Sequence, residues 1–280
     1  MASLPMHDEP EKDAGQRAVQ SVEVGGRLLL ALAAHHGPMN LKDLAAQGGL
    51  APARAHPYLV SFGKLGLIEQ DKATGRYALG PAALQVGLAS LSQLDPVRVA
   101  GPVAEELASS TGFAVALALW GNLGPTVIRM IEARQPLLVA MRSGTVMSML
   151  GTATGRAFAG ALPEERVVRA VPVGDEPGQA IVFSAAELKV LRQARQDLRA
   201  HGLVRAEGRP IPGVNAFSAP AFDHEGQPAL VITALGHQDH FPIDWNSSVA
   251  DAVRAAAAQI SRGLGWQGSP AGGQAGSKRR

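Results

Sequence analysis

The 280-residue sequence contains no cysteine. This absence excludes disulfide bonds, thiolate nucleophiles and cysteine-based zinc sites. The histidines do not compensate, because neither the pair His35 and His36 nor the pair His237 and His240 is accompanied by a convincing carboxylate or third metal ligand. We therefore expect neither a metal site nor a bound cofactor.

The sequence also lacks a long apolar run. No segment approaches the roughly 20 apolar residues that cross a bilayer. The N-terminal stretch MASLPMHDEPEKDAGQR has no apolar core of the kind that a secretory signal requires. We expect a cytoplasmic protein.

Aromatic residues make up only 4% of the chain, whereas hydrophobic residues make up 46% and charged residues 18%. A packed core is therefore possible, and it must be built largely on small side chains. The net charge of +2 decides little, since nucleic-acid binding requires a local basic patch and not a global excess. No phosphate-binding loop, no G-x-S-x-G elbow and no pairing of a nucleophile with a base is present. We do not expect an enzyme.

The length is sufficient for two domains. Changes in composition predict a disordered arm over residues 1–16 and a flexible Gly/Ser-rich tail over residues 267–280. Between them we predict a first domain over residues 17–80, a linker helix over residues 81–94 and a second domain over residues 95–266.

The first domain has the pattern of a winged helix-turn-helix. After a first helix over Val19–His35, Asn40 is a good N-cap for a short helix over Leu41–Gln47. Gly48 and Gly49 allow a sharp turn into a helix over Pro52–Leu65, in which Leu59, Phe62 and Leu65 are predicted to face the core. A hairpin is then predicted from two short strands and a turn, at Leu67–Gln70, Arg76–Leu79 and Thr74–Gly75. This layout is typical of modules that read DNA.

In such a module the N-terminal half of the recognition helix reads base edges, and basic side chains nearby contact phosphate. The predicted base-contacting residues are Arg54, His56, Tyr58 and Ser61, and the predicted phosphate-contacting residues are Lys64, Lys72 and Arg76. Two alternatives stay open, because Tyr58 could pack against the first helix and His56 could be an ordinary surface histidine. Pro57 is an anomaly, since a proline inside a helix removes one backbone donor and either kinks the helix or marks a later start.

The second domain alternates predicted strands and helices. They include a helix over Val97–Ser110 that is interrupted at Gly101–Pro102 and a strand over Leu137–Met141. This order favours an α+β architecture with a mixed sheet and helices packed on it. The segment SGTVMSMLGTATGR leads into a helix whose N-terminal N–H groups could attract an anion such as a carboxylate. Thr152 and Thr154 would add hydroxyl groups and Met147 an apolar wall, although an ordinary loop and N-cap would show the same pattern.

Several stretches, taken in order, resemble the isocitrate-lyase-regulator (IclR) family of bacterial transcription regulators. They are LKDLAAQGGL, AHPYLVSFGKLGLIEQD, GRYALG, GTVMSMLGTATGRAFAGALP and PGVNAFSAPAFDHEGQPALVITALG. The resemblance implies a winged helix-turn-helix that dimerises, a linker helix and a GAF-like effector-binding domain, often assembled as a tetramer. It implies a repressor or an activator of catabolic genes that responds to a small organic effector, frequently an aromatic or short carboxylic acid.

The resemblance also implies an effector pocket between the sheet and the helix that begins near Gly155. Matching the family's motifs to this sequence gives Met147, Thr152, Ala153, Thr154, Gly155, Glu207, Ala216, Thr233 and Leu235. Ala216 and Leu235 offer no side-chain hydrogen bond where relatives are polar. A more apolar pocket would suit an aromatic or bulkier acid better than a two- or three-carbon acid.

The sequence departs from the family in the recognition helix as well. Pro57 stands where many relatives have a basic residue, and Ala53 stands where a small hydroxyl residue is usual. The operator therefore cannot be inferred from the family. We predict a ligand-responsive regulator that binds a pseudo-palindromic operator as a homodimer or homotetramer. The alternatives are a sensory module that has lost specific DNA binding and a small-molecule enzyme.

Overall fold

The computed structural model describes residues 19–35, 37–132, 141–169 and 183–268. The chain divides into two compact units, Met1–Gln93 and Leu94–Arg280. The predicted arm over residues 1–16, most of the tail over 267–280 and nearly all of a predicted strand over Leu137–Met141 lie outside the described residues. None of the helices in the described ranges is long and apolar enough to span a membrane.

The first unit is a small helical domain with a two-stranded hairpin. Its elements are α1 (Gln20–Ala34), α2 (Leu41–Gln47), α3 (Pro52–Lys64), β1 (Ile68–Gln70), β2 (Tyr77–Leu79) and α4 (Pro81–Ser92). The Asn40 side chain caps α2 by accepting a hydrogen bond from the backbone N–H of Asp43 at 2.9 Å. Gly49 follows α2 with φ of +70°, a conformation that glycine adopts without strain. Leu28, Leu44 and Leu59 are buried at the junction of the three helices.

Helix α3 runs without interruption through Pro57. Of the two possibilities left by the sequence, a later start is excluded, since the helix begins at Pro52. Pro57 lies on the exposed side of the helix, where water can satisfy the carbonyl that loses its helical donor. The helix ends one residue earlier than predicted, and Leu65 is exposed rather than part of the core.

Helix α4 has no buried residue, although it is rich in leucine. Leu84, Val86 and Leu88 are 64%, 64% and 56% exposed. Leu84, Leu88 and Leu91 share one helical face, because residues three and four apart are neighbours on a helix. A row of exposed leucines on one helix is unusual on a soluble surface and indicates an interaction face.

The second unit consists of a five-stranded sheet and five helices within the described ranges. Its elements are α5 (Pro96–Thr111), β3 (Ala114–Gly121), β4 (Gly124–Ile131), α6 (Ala153–Ala161), α7 (Glu164–Arg169), α8 (Ala185–His201), β5 (Val204–Ala206), β6 (Val214–Phe222), β7 (Pro228–His237) and α9 (Ser248–Gly263). The strand order is β4-β3-β7-β6-β5.

The α+β class is confirmed, but the expectation of a mixed sheet is wrong for the described strands. All four strand pairings are antiparallel. Three of the pairs, β3–β4, β5–β6 and β6–β7, join strands that follow one another in the chain through short connections. Short connections produce antiparallel pairs, whereas parallel pairs need a crossover. The fourth pair, β3–β7, joins strands that are distant in the chain and is antiparallel as well.

Both faces of the sheet are covered by helices. Val115 and Leu117 belong to the cluster under α5 and α9, whereas Ala114, Ala116 and Ala118 belong to the cluster under α6 and α8. This alternation follows from the two-residue period of a strand. Alanine side chains on the second face leave space for α6 close to the sheet. A chain with few aromatic residues can therefore still pack helices tightly against both faces of the sheet.

Helix α5 also differs from the sequence-based expectation. A break was predicted at Gly101–Pro102, yet the helix is continuous from Pro96 to Thr111. One face of α5 buries Ala100, Ala104 and Leu107 in the main core cluster. Burial of this face outweighs the loss of one helical hydrogen bond at Pro102.

Candidate functional site

The candidate DNA-reading surface is formed by α3 and the β1–β2 hairpin of the first unit. Ala55 and Leu59 define the buried face of α3. Arg54, His56 and Lys64 are exposed, which leaves their charged or polar ends available to a ligand.

Two of the predicted DNA-contacting residues have partners within the unit. Tyr58 is partly buried, and its ring lies so close to Gly25 of α1 that a Cβ at Gly25 would come within 3.0 Å of the ring. The hydroxyl group of Ser61 donates a hydrogen bond to the carbonyl oxygen of Pro57 at 3.0 Å. The packing alternative left open for Tyr58 therefore describes its environment in this structure.

The loop between β1 and β2 is organised by Asp71. Its carboxylate accepts hydrogen bonds from the hydroxyl of Thr74 at 2.7 Å and from the backbone N–H of Ala73 at 2.8 Å. These bonds, the one from Thr74 foremost, lower the pKa of Asp71 below its usual value. The carboxylate therefore orders the loop at neutral pH, and this contribution is lost only as the pH falls through that lowered pKa. Lys72 and Arg76 flank this ordered turn and are exposed.

The candidate effector pocket is a small cavity in the second unit, between α6 and the sheet. Its volume is about 40 Å³. Its lining includes seven of the nine residues predicted for the effector site, which are Met147, Thr152, Ala153, Thr154, Ala216, Thr233 and Leu235. The remaining lining residues are Met141, Ala206, Arg209, Pro210, Ile211 and Val214.

Three buried hydroxyl groups form a chain beside this cavity, and two of them, on Thr154 and Thr233, belong to residues that line it. The hydroxyl oxygens of Thr154 and Thr233 are 2.9 Å apart, and those of Thr233 and Ser218 are 2.7 Å apart. All three side chains are buried. Thr233 is therefore the central member of a chain that connects α6 to β7 and β6, and Ser218 is a member that sequence reasoning did not identify.

The N-terminus of α6 borders the cavity. The Thr152 hydroxyl accepts a hydrogen bond from the backbone N–H of Gly155 at 3.0 Å and donates one to the carbonyl oxygen of Ser148 at 2.8 Å. Gly155 is predicted for the site but does not line it. A Cβ at this position would overlap the backbone of Ser148 and Met149, so glycine is needed for the close approach of the loop.

The charged residue nearest to the site differs from the prediction. Glu207 is exposed and does not line the cavity. Its neighbour Ala206 is buried and does line it, as the alternation of side chains along β5 requires. Arg209, two residues further along the chain, contributes the positive charge of the lining. No sequence motif identified Arg209, because its approach depends on the path of the β5–β6 loop.

Within the described residues, no group of three histidine or acidic side chains could hold a metal ion.

Arg156 of α6 is partly buried and donates a hydrogen bond to the carbonyl oxygen of Arg205. Burial lowers the pKa of Arg156 from its usual value, and the attraction of Asp197 acts in the opposite direction. The charge at the pocket comes from the Arg209 side chain. Its polar groups are the hydroxyl chain and the backbone N–H groups at the start of α6.

The hydroxyl chain gives a testable prediction about stability. Thr233→Val should destabilise the second unit by about 1–3 kcal/mol, because it leaves the buried hydroxyls of Thr154 and Ser218 without their shared partner. The measurement is urea unfolding followed by tryptophan fluorescence. The control is the triple variant T154V/S218A/T233V, which removes all three hydroxyls and should lose less than the three single variants added together. A triple variant with fully additive losses would contradict a coupled chain.

Comparison with known proteins agrees with both halves of this description. Residues 88–262 match the model described as the bacterial transcriptional regulator IclR C-terminal domain, and residues 21–72 match the IclR helix-turn-helix domain. The chain is 26% identical over 241 residues to the HTH-type transcriptional regulator KipR of Bacillus subtilis, covering 85% of this chain and 94% of KipR. It is 28% identical over 255 residues to the glycerol operon regulatory protein of Streptomyces griseus, covering 89% and 98%.

Two solved structures extend the comparison to the fold. Pseudomonas aeruginosa HmgR matches with a TM-score of 0.77 and 33% identity, covering 90% of this chain and 100% of HmgR. The Agobacterium tumefaciens repressor BlcR matches with a TM-score of 0.74 and 20% identity, covering 89% and 99%. The match to BlcR concerns the fold alone.

Proposed function

Because the chain belongs to the IclR family of bacterial transcriptional regulators, we propose that its α3 and β1–β2 hairpin bind an operator and that its threonine-lined cavity binds a small organic carboxylate that controls this binding. Ligand-responsive DNA binding in transcriptional regulation is the function of the family to which the chain belongs. We propose which residues contact DNA, which class of compound is the effector and how the chains assemble. The observation that supports it most strongly is the convergence of Arg209, the hydroxyl chain and the N-terminus of α6 on one cavity.

The DNA-binding part of the proposal separates base contacts from phosphate contacts. Arg54 is exposed near the start of α3, and arginine can bind the O6 and N7 atoms of guanine through two hydrogen bonds. Lys72 and Arg76 lie in a turn that Asp71 orders, so their positive charges are suited to the phosphates beside the groove. Lys64 at the end of α3 has the same role. His56 adds a polar end, whereas Tyr58 and Ser61 support the helix.

We predict different effects for the two kinds of residue. Lys72→Ala with Arg76→Ala should weaken binding to every DNA sequence alike and reduce the slope of log affinity against log salt by about two, since two phosphate contacts are lost. Arg54→Ala should instead lower the preference for specific over unrelated DNA by about 1–3 kcal/mol. Fluorescence anisotropy with the intergenic DNA upstream of the gene, at several salt concentrations, measures both.

Arg142→Ala is the control for this experiment, because Arg142 is an exposed arginine of the second unit. The phosphate assignment is wrong if the K72A/R76A variant keeps the salt slope of the wild type. A wild-type protein that binds all DNA equally would favour the alternative of a sensory module without specific DNA binding.

The effector part of the proposal follows from the chemistry of the cavity lining. Most of the lining is apolar, including Met141, Met147, Ile211 and Leu235. The guanidinium group of Arg209 offers paired donors for a carboxylate, and the free N–H groups at the start of α6 favour negative charge. A cavity of about 40 Å³ holds about one water molecule, so a larger acid must displace the flexible methionines or the β5–β6 loop when it binds.

We predict that aromatic or branched carboxylic acids raise the melting temperature of the wild type, whereas their methyl esters do not. Arg209→Ala should reduce this increase, since the carboxylate loses its cationic partner in this cavity, and Arg142→Ala should retain it in full. A thermal-shift panel measures the effect, because a ligand that binds only the folded state stabilises it in proportion to the logarithm of its concentration. Stabilisation by two- or three-carbon acids alone would contradict the proposed effector class.

We further propose that the regulator is a homodimer or a homotetramer whose contacts include the apolar face of α4. Leu84 and Leu88 of this face are each more than half exposed, and burying them would recover the favourable free energy of apolar contact. A symmetric dimer would also present two copies of α3 to the two halves of a pseudo-palindromic operator.

The assembly is tested by charge insertion on this face. Leu84→Glu with Leu88→Glu should shift the protein toward the monomer, because carboxylates would be buried without partners. The control variant Q85E/S90E adds the same charge to the same helix at other exposed positions and should leave the assembly intact. Analytical ultracentrifugation distinguishes the species, and an L84E/L88E variant of unchanged mass would exclude this face from the interface.

We assign no catalytic turnover to the cavity. The relatives of this chain are transcriptional regulators, and the hydroxyl groups of Thr154, Thr233 and Ser218 are hydrogen-bonded to one another rather than to a base.

A regulator of transcription acts where the chromosome is, so the cytoplasm is the proposed location. The gene set under control is proposed to be a catabolic operon.

A further inference from the structure

The second unit contains another cavity, much larger than the one beneath the start of α6. Its volume is about 880 Å³, within the range of pockets that bind small molecules. It is bordered by the C-terminal end of α6, by α8, by α9 and by the β6–β7 turn. It shares no lining residue with the threonine-lined cavity.

This cavity exists because two neighbouring strands differ in length. Strand β5 has three residues, whereas β6 has nine, and their pairing does not extend beyond Ser218. Beyond Ser218, the side of β6 that faces away from β7 has no strand beside it. Pro220 and Phe222 line the cavity at this unpaired edge. The helices on the two faces of the sheet remain separated there, and the space between them is open.

The exposed strand edge does not invite another strand. Pro220 has no N–H group, and the N–H of Phe222 donates a hydrogen bond to the hydroxyl of Ser261 at 3.0 Å. Proline at an edge prevents pairing with a further strand. Neither residue therefore offers a free N–H group to a further strand at this edge.

The charge of the lining has one sign. Four arginines line the cavity, Arg195, Arg199, Arg254 and Arg262, and no aspartate or glutamate does so among the described residues. Arg254 is held in position by the carbonyl oxygens of His201 and Trp245, at 3.2 and 2.9 Å, and by Asp251. Arg199 and Arg262 are exposed and form no ion pair within the described ranges.

The lining also has apolar and aromatic members. They include Leu198, Phe222 and Trp266, and the rings of Phe222 and Trp266 are 5.8 Å apart. Gly226 and Gly268 lie against the Trp266 ring, where a Cβ at either position would overlap the indole. The indole is thus fixed between two glycines, with its position in the cavity set by the chain around it.

We propose that this cavity binds an organic anion that combines a flat apolar group with a carboxylate or phosphate. The flat group packs against Trp266 and Phe222, and the anionic group lies between the guanidinium groups of Arg199 and Arg262. Guanidinium groups bind both kinds of anion through paired hydrogen bonds, and aromatic rings stack on flat ligands. Arg192 and Arg195 on the same side of α8 add to the positive potential at the entrance.

This site is independent of the effector site proposed above. Helix α6 begins at the threonine-lined cavity, which includes Ala153 and Thr154, and ends at the arginine-lined one, which includes Gly160 and Ala161. The two ligands would bind at opposite ends of one nine-residue helix. An experiment on one cavity can therefore leave the other intact.

The test uses the full-length protein and two probes that share a ring but differ in charge. Isothermal titration with 1-naphthyl phosphate should show binding, and 1-naphthol should bind at least tenfold more weakly. Arg199→Ala with Arg262→Ala should weaken 1-naphthyl phosphate binding at least tenfold. The matched control R27A/R142A removes the same charge from exposed positions outside this cavity and should change the affinity less than threefold.

Two further variants locate the bound probe. Ala258→Phe fills the cavity without changing its charge and should also abolish binding, whereas Thr233→Val in the other cavity should not affect it. The probe should quench tryptophan fluorescence in the wild type but much less in Trp266→Phe. A 1-naphthoate titration then distinguishes a preference for carboxylate from one for phosphate.

The proposal is overturned if 1-naphthyl phosphate does not bind the wild type, if 1-naphthol binds as tightly, or if R199A/R262A and R27A/R142A behave alike. Loss of binding in T233V with retention in A258F would assign the probe to the threonine-lined cavity, and this too would overturn the proposal. Each variant is checked by circular dichroism before titration, and both double-arginine variants alter exposed side chains, so they should fold.

Discussion

The second unit depends on the close approach of α6 to the sheet. Gly155 permits the close approach of the preceding loop to the start of α6, because any larger residue would overlap the backbone at Ser148 and Met149. Small side chains such as Ala206 and Ala216 lie in the same core cluster as α6, and the hydroxyl groups of Thr154 and Thr233 come within hydrogen-bond distance. The same approach leaves a small cavity beside the start of the helix and a larger one beyond its end.

The two cavities lie at different parts of the sheet, one over paired strands and the other where strand pairing ends. The smaller one lies over paired strands, where Ala216, Thr233 and Leu235 provide a continuous wall. The larger one lies where pairing ends, because β5 stops after three residues. A ligand-responsive regulator needs a site whose occupancy alters the relative stability of two states. A helix with a distinct cavity at each end is a physical basis for sensing more than one compound.

Much of the first unit was predictable from local sequence. The cap at Asn40, the glycine turn and the bounds of α2 follow from short-range hydrogen bonding and backbone preference, and these are encoded within a few residues. The resemblance to the IclR family, which the comparisons confirm, was also visible in ordered motifs. Prediction failed where burial decided the outcome. Pro102 did not break α5, and Leu65 did not reach the core.

The sequence by itself determined the family, the α+β class, the helix-turn-helix and seven of the residues that surround the threonine-lined cavity, because periodicity, capping and motif order are local properties. Only the tertiary structure decided that the sheet is antiparallel, that Ser218 completes the hydroxyl chain, that Arg209 and not Glu207 lines the smaller cavity, and that four arginines line one cavity together with Trp266. These residues are far apart in the chain or lie on loops. Their distances are fixed by strand register, loop path and the length of β5, which no short stretch of sequence specifies.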